Sequence, residues 1–363
     1  MMRTRTAVAA GLGLAAAVLA LAVGGAAAAK GPNDAGHVAE VKALLSNLTI
    51  EKARTHKNMV VFPIRYGGKQ APGQWITLDE AEAAGELKVS EKDQATVPEV
   101  LVQNTGNRTV FVMSGEIIKG GKQTRVVQKD TIIEPKQQVA IGVFCVERSR
   151  WAGGQDFKGA QKMAPASVRG GIQRGEGQGE VWGRVRSTGA AAGAESRTES
   201  LDEMMESAPV KQEFDRVHKN LGKFSPPDTV GIAVADARTG RVVGLELFGR
   251  RDLFERLQDK LVEGYAMDLV VTQADWKPGE GRPVTEDEVA GFVTRAIQGA
   301  SRYEDTPGSG RGLDLESGSL KGKGVALGDC AIHLSVQDSV PAPVPARPII
   351  EDPRPIGPMR SER

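Results

Sequence analysis

From Asn47 to Trp151 the chain is cut into short apolar segments bounded by turn residues, and this pattern limits the fold more than any other feature. Short runs rich in β-branched side chains, bounded by Gly, Asn and Pro, read as strands rather than helices. The expected strands are Leu48–Arg54, Met59–Arg65, Leu87–Ser90, Glu99–Gln103, Thr109–Met113, Thr124–Gln128 and Gln138–Glu147. The Asn104-Thr105-Gly106-Asn107 stretch supplies a hairpin turn between two of them. A single helical piece interrupts, Leu78–Ala84, stopped by Gly85. With 44 glycines and only 4% aromatic residues, the composition favours a turn-rich sheet over a long helical bundle.

Past Trp151 the composition shifts. Gly, Ala, Ser, Gln and Arg dominate residues 152–200, so a long mobile insert is expected at about 153–198, with one helical turn near Val181–Val185. A helix follows at Leu201–Leu221, ended by Pro226-Pro227, and then a hairpin of Val230–Ala235 and Arg241–Phe248. Leu253, Leu257 and Leu261 at i, i+4 spacing mark another helix. Thr285 and Glu288 form a capping box ahead of an apolar stripe, Val289, Phe292, Val293, Ala296 and Ile297. Strands at Gly312–Leu315 and Val325–Val336 close the folded part. The expected class is α+β: one β-rich unit over 47–338, with a mostly antiparallel sheet and three or four peripheral helices. A helix and linker at 30–46 precede it. Seven prolines in residues 339–363 predict an extended, disordered tail.

The amino terminus reads as a secretory signal. Arg3 and Arg5 precede an uncharged Ala/Leu/Val run, which ends in the small-residue Ala27-Ala28-Ala29 site, so residues 1–29 are expected to be removed and Lys30 to start the mature chain. The expected location is periplasmic or secreted, with no membrane span after cleavage. Cleavage removes two Arg and no acid from totals of 47 basic and 46 acidic residues, leaving 45 against 46. That balance gives no reason to expect nucleic acid as a partner. Export permits a disulfide, but Cys145 and Cys330 both lie in apolar strand sequence and read first as buried free thiols.

Two polar clusters carry what chemistry the sequence offers. The first, Ser114–Arg125, combines Gly120-Gly121 with Lys122, Gln123 and Arg125, a setting in which backbone N–H groups and cations can surround an anion. It is not a nucleotide phosphate loop, because Gly121 stands where that loop needs Lys and Gln123 where it needs Ser or Thr. The second, Glu147-Arg148-Ser149-Arg150-Trp151, follows the most apolar strand, at a strand end where sites are often built. The bland alternative for both is a glycine turn and an ion-paired sheet edge. Of the four histidines, no two have metal-ligand spacing, so no metal is expected. His333 alternates with Asp329 and Ser335 and is expected to face solvent or a cleft. No serine-nucleophile elbow is present.

These clusters resemble a known domain family. Ile76–Ala81, Gly115–Arg125 (GEIIKGGKQTR), Val143–Trp151 (VFCVERSRW) and Val230–Phe254 are similar to the domain named for its association with ADP-ribosylglycohydrolases and rhodanese–phosphatase proteins, long listed as of unknown function. The resemblance covers roughly residues 45–336. It implies one β-rich α+β unit and genomic company with ADP-ribose enzymes, hence a nucleotide- or ADP-ribose-like ligand, a hint that export weakens. It brings no established activity and no cofactor. The motif positions that would line a site are Glu116, Lys122, Gln123, Arg125, Glu147, Arg150 and Trp151. The expectation is a non-catalytic binding or interaction module of the cell envelope, whose partner is a small anionic ligand, a sugar or an envelope protein. The alternative is a hydrolase with Glu116 or Glu147 as general base.

Overall fold

A computed structural model describes residues 36–92, 98–224, 228–273, 275–277, 279 and 281–339. The expected signal peptide, Pro226-Pro227 and tail residues 340–363 lie outside the described residues.

In chain order the first elements are α1 (Ala39–Leu45), β1 (Leu48–Ile50), β2 (Arg54–His56), β3 (Met59–Tyr66), β4 (Trp75–Thr77) and α2 (Leu78–Ala83). Strands β5 (Leu87–Glu91), β6 (Glu99–Asn104), β7 (Thr109–Val112), β8 (Glu116–Gly120) and β9 (Arg125–Val127) follow. Next come β10 (Thr131–Ile133), β11 (Gln138–Cys145), β12 (Asp156–Met163), α3 (Ala166–Gln173) and α4 (Gln178–Ala192). After them run α5 (Leu201–Glu206), α6 (Ala208–Leu221), β13 (Thr229–Asp236), β14 (Arg241–Phe248) and α7 (Arg251–Ala266), which continues as a π-helical segment, Met267–Val271. The last are α8 (Glu286–Gln298), β15 (Ala300–Glu304), β16 (Arg311–Ser317), β17 (Leu320–Leu327) and β18 (Cys330–Gln337).

Three sheets result. The largest runs β1-β3-β13-β14-β18-β17-β16-β15, with β2 also paired to β3. Strands β11-β6-β5-β12-β8-β9 close into a barrel. A small sheet, β10-β7-β4, holds the one parallel pairing among the described strands, β4 with β7. The class is α+β and mostly antiparallel, as expected, although among the described residues eight α-helices surround the sheets rather than three or four.

Side-chain alternation explains the layering. On β3, Val60, Phe62 and Ile64 face a core shared with Val41 and Leu44 of α1 and with Phe292 and Ala296 of α8. Met59 and Val61 face the other way, into a core shared with Leu257 and Leu261 of α7 and with Phe111, Ile117 and Val126. Such two-sided burial requires the near-continuous apolar run seen in β3 and β13. The barrel fills a third core with Val89, Val102, Ile118, Val127, Ile141 and Val143.

Four expectations need correction. Residues 153–198 fold into β12, α3 and α4 instead of a mobile insert. The small residues there serve close packing: a Cβ on Gly170 would stand 2.5 Å from Gln337 Oε1, while Val168, Val181 and Val185 are buried. Second, Leu201–Leu221 is two helices, broken at Ser207 ahead of Pro209. Third, Val325–Val336 is not one strand, since β17 and β18 turn at Gly328 with φ of 61°. Finally, Glu116–Gly120, expected between strands, is itself strand β8.

Candidate functional site

The two sequence clusters meet. The Gln123 side-chain amide donates to the Glu147 carbonyl at 2.8 Å. Glu147 Oε2 accepts from the Thr124 backbone N–H and hydroxyl, both at 2.9 Å, and from Arg150 Nη2 at 2.7 Å. Its Oε1 accepts from Arg150 Nε at 2.8 Å. Arg150 then reaches the carbonyls of Gly120 at 3.1 Å, Gly121 at 3.0 Å and Ala152 at 2.5 Å. Burial works to raise the Glu147 pKa, but Arg150, Thr124 and Thr198 outweigh it and hold the carboxyl below its ordinary value. With both oxygens accepting from donors, Glu147 clamps the loop.

The other motif residues stand differently. Arg125 is fully buried and donates through Nη1 to the Gln123 carbonyl at 3.0 Å, with Cys145 Sγ 3.5 Å away. Its Nε and Nη2 have no hydrogen-bond partner, and burial lowers its pKa. Lys122 bonds through its backbone N–H to Glu91 and through Nζ to the Gly153 carbonyl at 3.3 Å. Trp151 is 55% exposed. Both cysteines are free and buried, as expected from their apolar strands.

Glu116 does not join this group. It starts β8, is buried, and is ion-paired with Lys260 of α7, which also bonds Asp79 Oδ2 at 2.7 Å. Its other oxygen accepts from the Met113 N–H at 2.6 Å. Burial pushes the Glu116 carboxyl up, against the pull of Lys260. Lys260, despite burial acting against its charge, is held above its ordinary value by Glu116 and Asp79.

The strongest convergence of charge lies elsewhere, around His333, which lines a cleft and not the open surface. A cavity of about 200 Å³ is lined by Ser114, Asp130, Arg169, Gln173, His333 and Ser335, with Lys129, Glu304 and Lys323 also on its wall. His333 Nδ1 bonds Asp130 at 2.7 Å and Nε2 bonds Glu246 at 3.3 Å. Glu246 also accepts from Arg169 Nη1 and the Tyr265 hydroxyl, each at 2.7 Å. Asp130 Oδ1 accepts from the Ser114 N–H at 2.8 Å. Burial disfavours the His333 charge, yet Asp130 and Glu246 raise its pKa to about 9. Burial likewise works against the Glu246 carboxylate, while Arg169 and His333 lower it to about 2.

His333 therefore does not face solvent, because a register shift between Val325 and Ala326 leaves Ile332 unopposed on β18. An extra residue of this kind reverses the alternation beyond it and turns His333 inward. Gly115 packs against Arg169. Its φ is 92°, and a Cβ there would stand 2.2 Å from Arg169 Cδ. The glycine heading the GEIIKGGKQTR motif thus makes room for a charge on a helix more than fifty residues on.

The motif's assembly, with Gly115 against Arg169 and Gln123, Arg125, Glu147 and Arg150 in one clamp, accompanies a match to the ARG and Rhodanese-Phosphatase-superfamily-associated Protein domain (ARPP-1) over residues 47–337. The chain belongs to this family. No curated protein and no solved structure matches it. The ARPP-1 match spans every strand described here, so clamp and cavity both belong to the family domain. A charge amid apolar residues, as in Leu245-Glu246-Leu247-Phe248 and Ile332-His333-Leu334, was the signal available for the cavity.

Proposed function

We propose that the chain is an exported, non-catalytic binding module of the cell envelope, and that its ligand occupies the cavity lined by Asp130, Arg169 and His333. One observation carries this reading. The candidate bases of the cavity's buried network, His333, Asp130 and Glu246, are already engaged by donors or by one another. Both His333 nitrogens and both Asp130 oxygens have partners, and Glu246 serves three donors. The Ser114 hydroxyl donates to the Gln128 carbonyl at 2.9 Å, not to His333. Groups so engaged hold fixed charge and orient a guest, whereas a general base needs a free lone pair on the reacting proton. The cavity volume of about 200 Å³ supports a ligand smaller than a nucleotide.

The test is calorimetric titration of the chain from Lys30 with a small-molecule panel, beside a product assay on every binder. Saturable binding without turnover, weakened by Gln173→Leu or Ser335→Ala, is the expected result. Turnover of a bound compound would replace the binding reading with an enzymatic one. Fractionation of cells carrying the full chain tests export, the expected product being a periplasmic or secreted form that starts at Lys30.

A further inference from the structure

We infer that the cavity takes a small oxyanion, a carboxylate or a phosphate, held by Arg169 with Lys129 and Lys323 beside it. The inference rests on the binding reading above and names the ligand class of that same site.

Charge is the first argument. The wall carries three cationic side chains, Lys129, Arg169 and Lys323, each ion-paired within the protein: Lys129 and Lys323 with Glu304, Lys323 also with Asp314, and Arg169 with Glu246. His333 is fixed between Asp130 and Glu246, and each nitrogen of the imidazole meets a carboxylate. Unmet hydrogen bonding is the second argument. Arg169 is 1% exposed and spends Nη1 on Glu246, but its Nε and Nη2 are buried without any hydrogen-bond partner. An orphaned buried donor on a charged group is costly, and a guanidinium edge matches the two oxygens of a carboxylate or phosphate. The third argument is construction. Arg169 is positioned by the missing Cβ of Gly115, by the Tyr265 ring 5.0 Å from its guanidinium carbon, and by Glu246. Such support on three sides is what holds a binding group in one geometry. A neutral polyol offers the guanidinium edge no pair of anionic oxygens, and an ammonium ligand offers it no acceptor at all.

The probes are acetate, inorganic phosphate, glycerol and ethanolamine, titrated separately into the chain from Lys30 at constant ionic strength. Acetate or phosphate is expected to bind at least tenfold more tightly than glycerol or ethanolamine, and the stronger of the two identifies the oxyanion. Lys129→Gln alters a side chain that is 38% exposed, so folding persists, and oxyanion affinity is expected to drop about threefold or more. Arg169→Lys, checked for folding by circular dichroism, is expected to lose tenfold or more, because a lysine lacks the paired donors. Glycerol or ethanolamine binding as tightly as either oxyanion would overturn the ligand class while leaving the cavity a binding site. Unchanged oxyanion affinity in Lys129→Gln and Arg169→Lys would place the anion elsewhere. If none of the four probes, nor any member of the wider panel, binds, the inference and the proposed function fall together.

Discussion

Carboxylates face His333 from both sides, Asp130 on one nitrogen and Glu246 on the other, and this makes its proton part of the fold. Its folded pKa of about 9 lies above the ordinary value of 6.5. A group raised in the folded state contributes stability that is fully present below 6.5 and is lost as pH rises through 9. A shift of this size corresponds to roughly 3 kcal/mol. Urea unfolding at pH 6.5 and pH 9.5 should therefore show native chain losing more stability than His333→Gln over that interval. Equal losses in the two proteins would show that His333 does not hold the proton. Arg169 and Tyr265 also pack on Glu246, and both stay protonated across this window, since burial and Glu246 raise the Tyr265 pKa well above 10. This network was hard to read from sequence because its members are scattered: Asp130 and His333 are 203 positions apart, Arg169 and Glu246 77. Pattern reading sees a charge in an apolar strand, but only strand order brings Glu246 of β14 beside β18. By contrast, the sequence brought Glu147 close to its partner, Arg125 or Arg150, and the structure pairs it with Arg150.

At the scale of elements, the motif clamp ties the turn between β8 and β9 to the end of β11. Gly120 and Gly121 take φ of 117° and 48°, and Arg150 secures both of their carbonyls. Arg150→Ala would remove these bonds and leave Glu147 with fewer partners, so a loss of about 2–4 kcal/mol is expected by denaturant titration. Amide hydrogen exchange should quicken first at Gly121 and Thr124, whose N–H groups lie in the released turn. Trp151→Ala, at a half-exposed side chain one residue on, should change stability by less than about 0.5 kcal/mol. A Trp151 variant as damaging as the Arg150 one would mean that the ring packs where the structure leaves it open. Strands β3, β6, β7, β11, β13 and β14 were legible because apolar alternation and turn residues agreed. The 153–198 region was not, because small residues serve tight helix packing as well as loops. Val181 and Val185 marked one turn of what is the whole of α4, while Val168 and Ile172 were the overlooked apolar spacing of α3.

On the scale of the whole molecule, α7 joins barrel to sheet with a charge. Leu257 and Leu261 bury against the large sheet's core, while Lys260 reaches Glu116 on β8 and Asp79 on α2. Glu116 in turn holds the N–H of Met113, which lines the cavity, and the next N–H, that of Ser114, is held by Asp130. The Met113–Glu116 turn therefore sits between two buried charge groups, one spanning the barrel junction and one forming the cavity wall. Removing the cation should be felt in both. Lys260→Met would leave two carboxylates facing each other without compensation, and a loss of about 3–5 kcal/mol is expected in urea unfolding. Adding Glu116→Gln should return part of that loss, because the neutral amide no longer needs a buried cation. If the turn transmits the change, each variant should also weaken oxyanion binding in the cavity, measured by calorimetry at a temperature where it remains folded. A double variant no more stable than Lys260→Met alone would mean that Asp79, not Glu116, is the partner that makes Lys260 necessary.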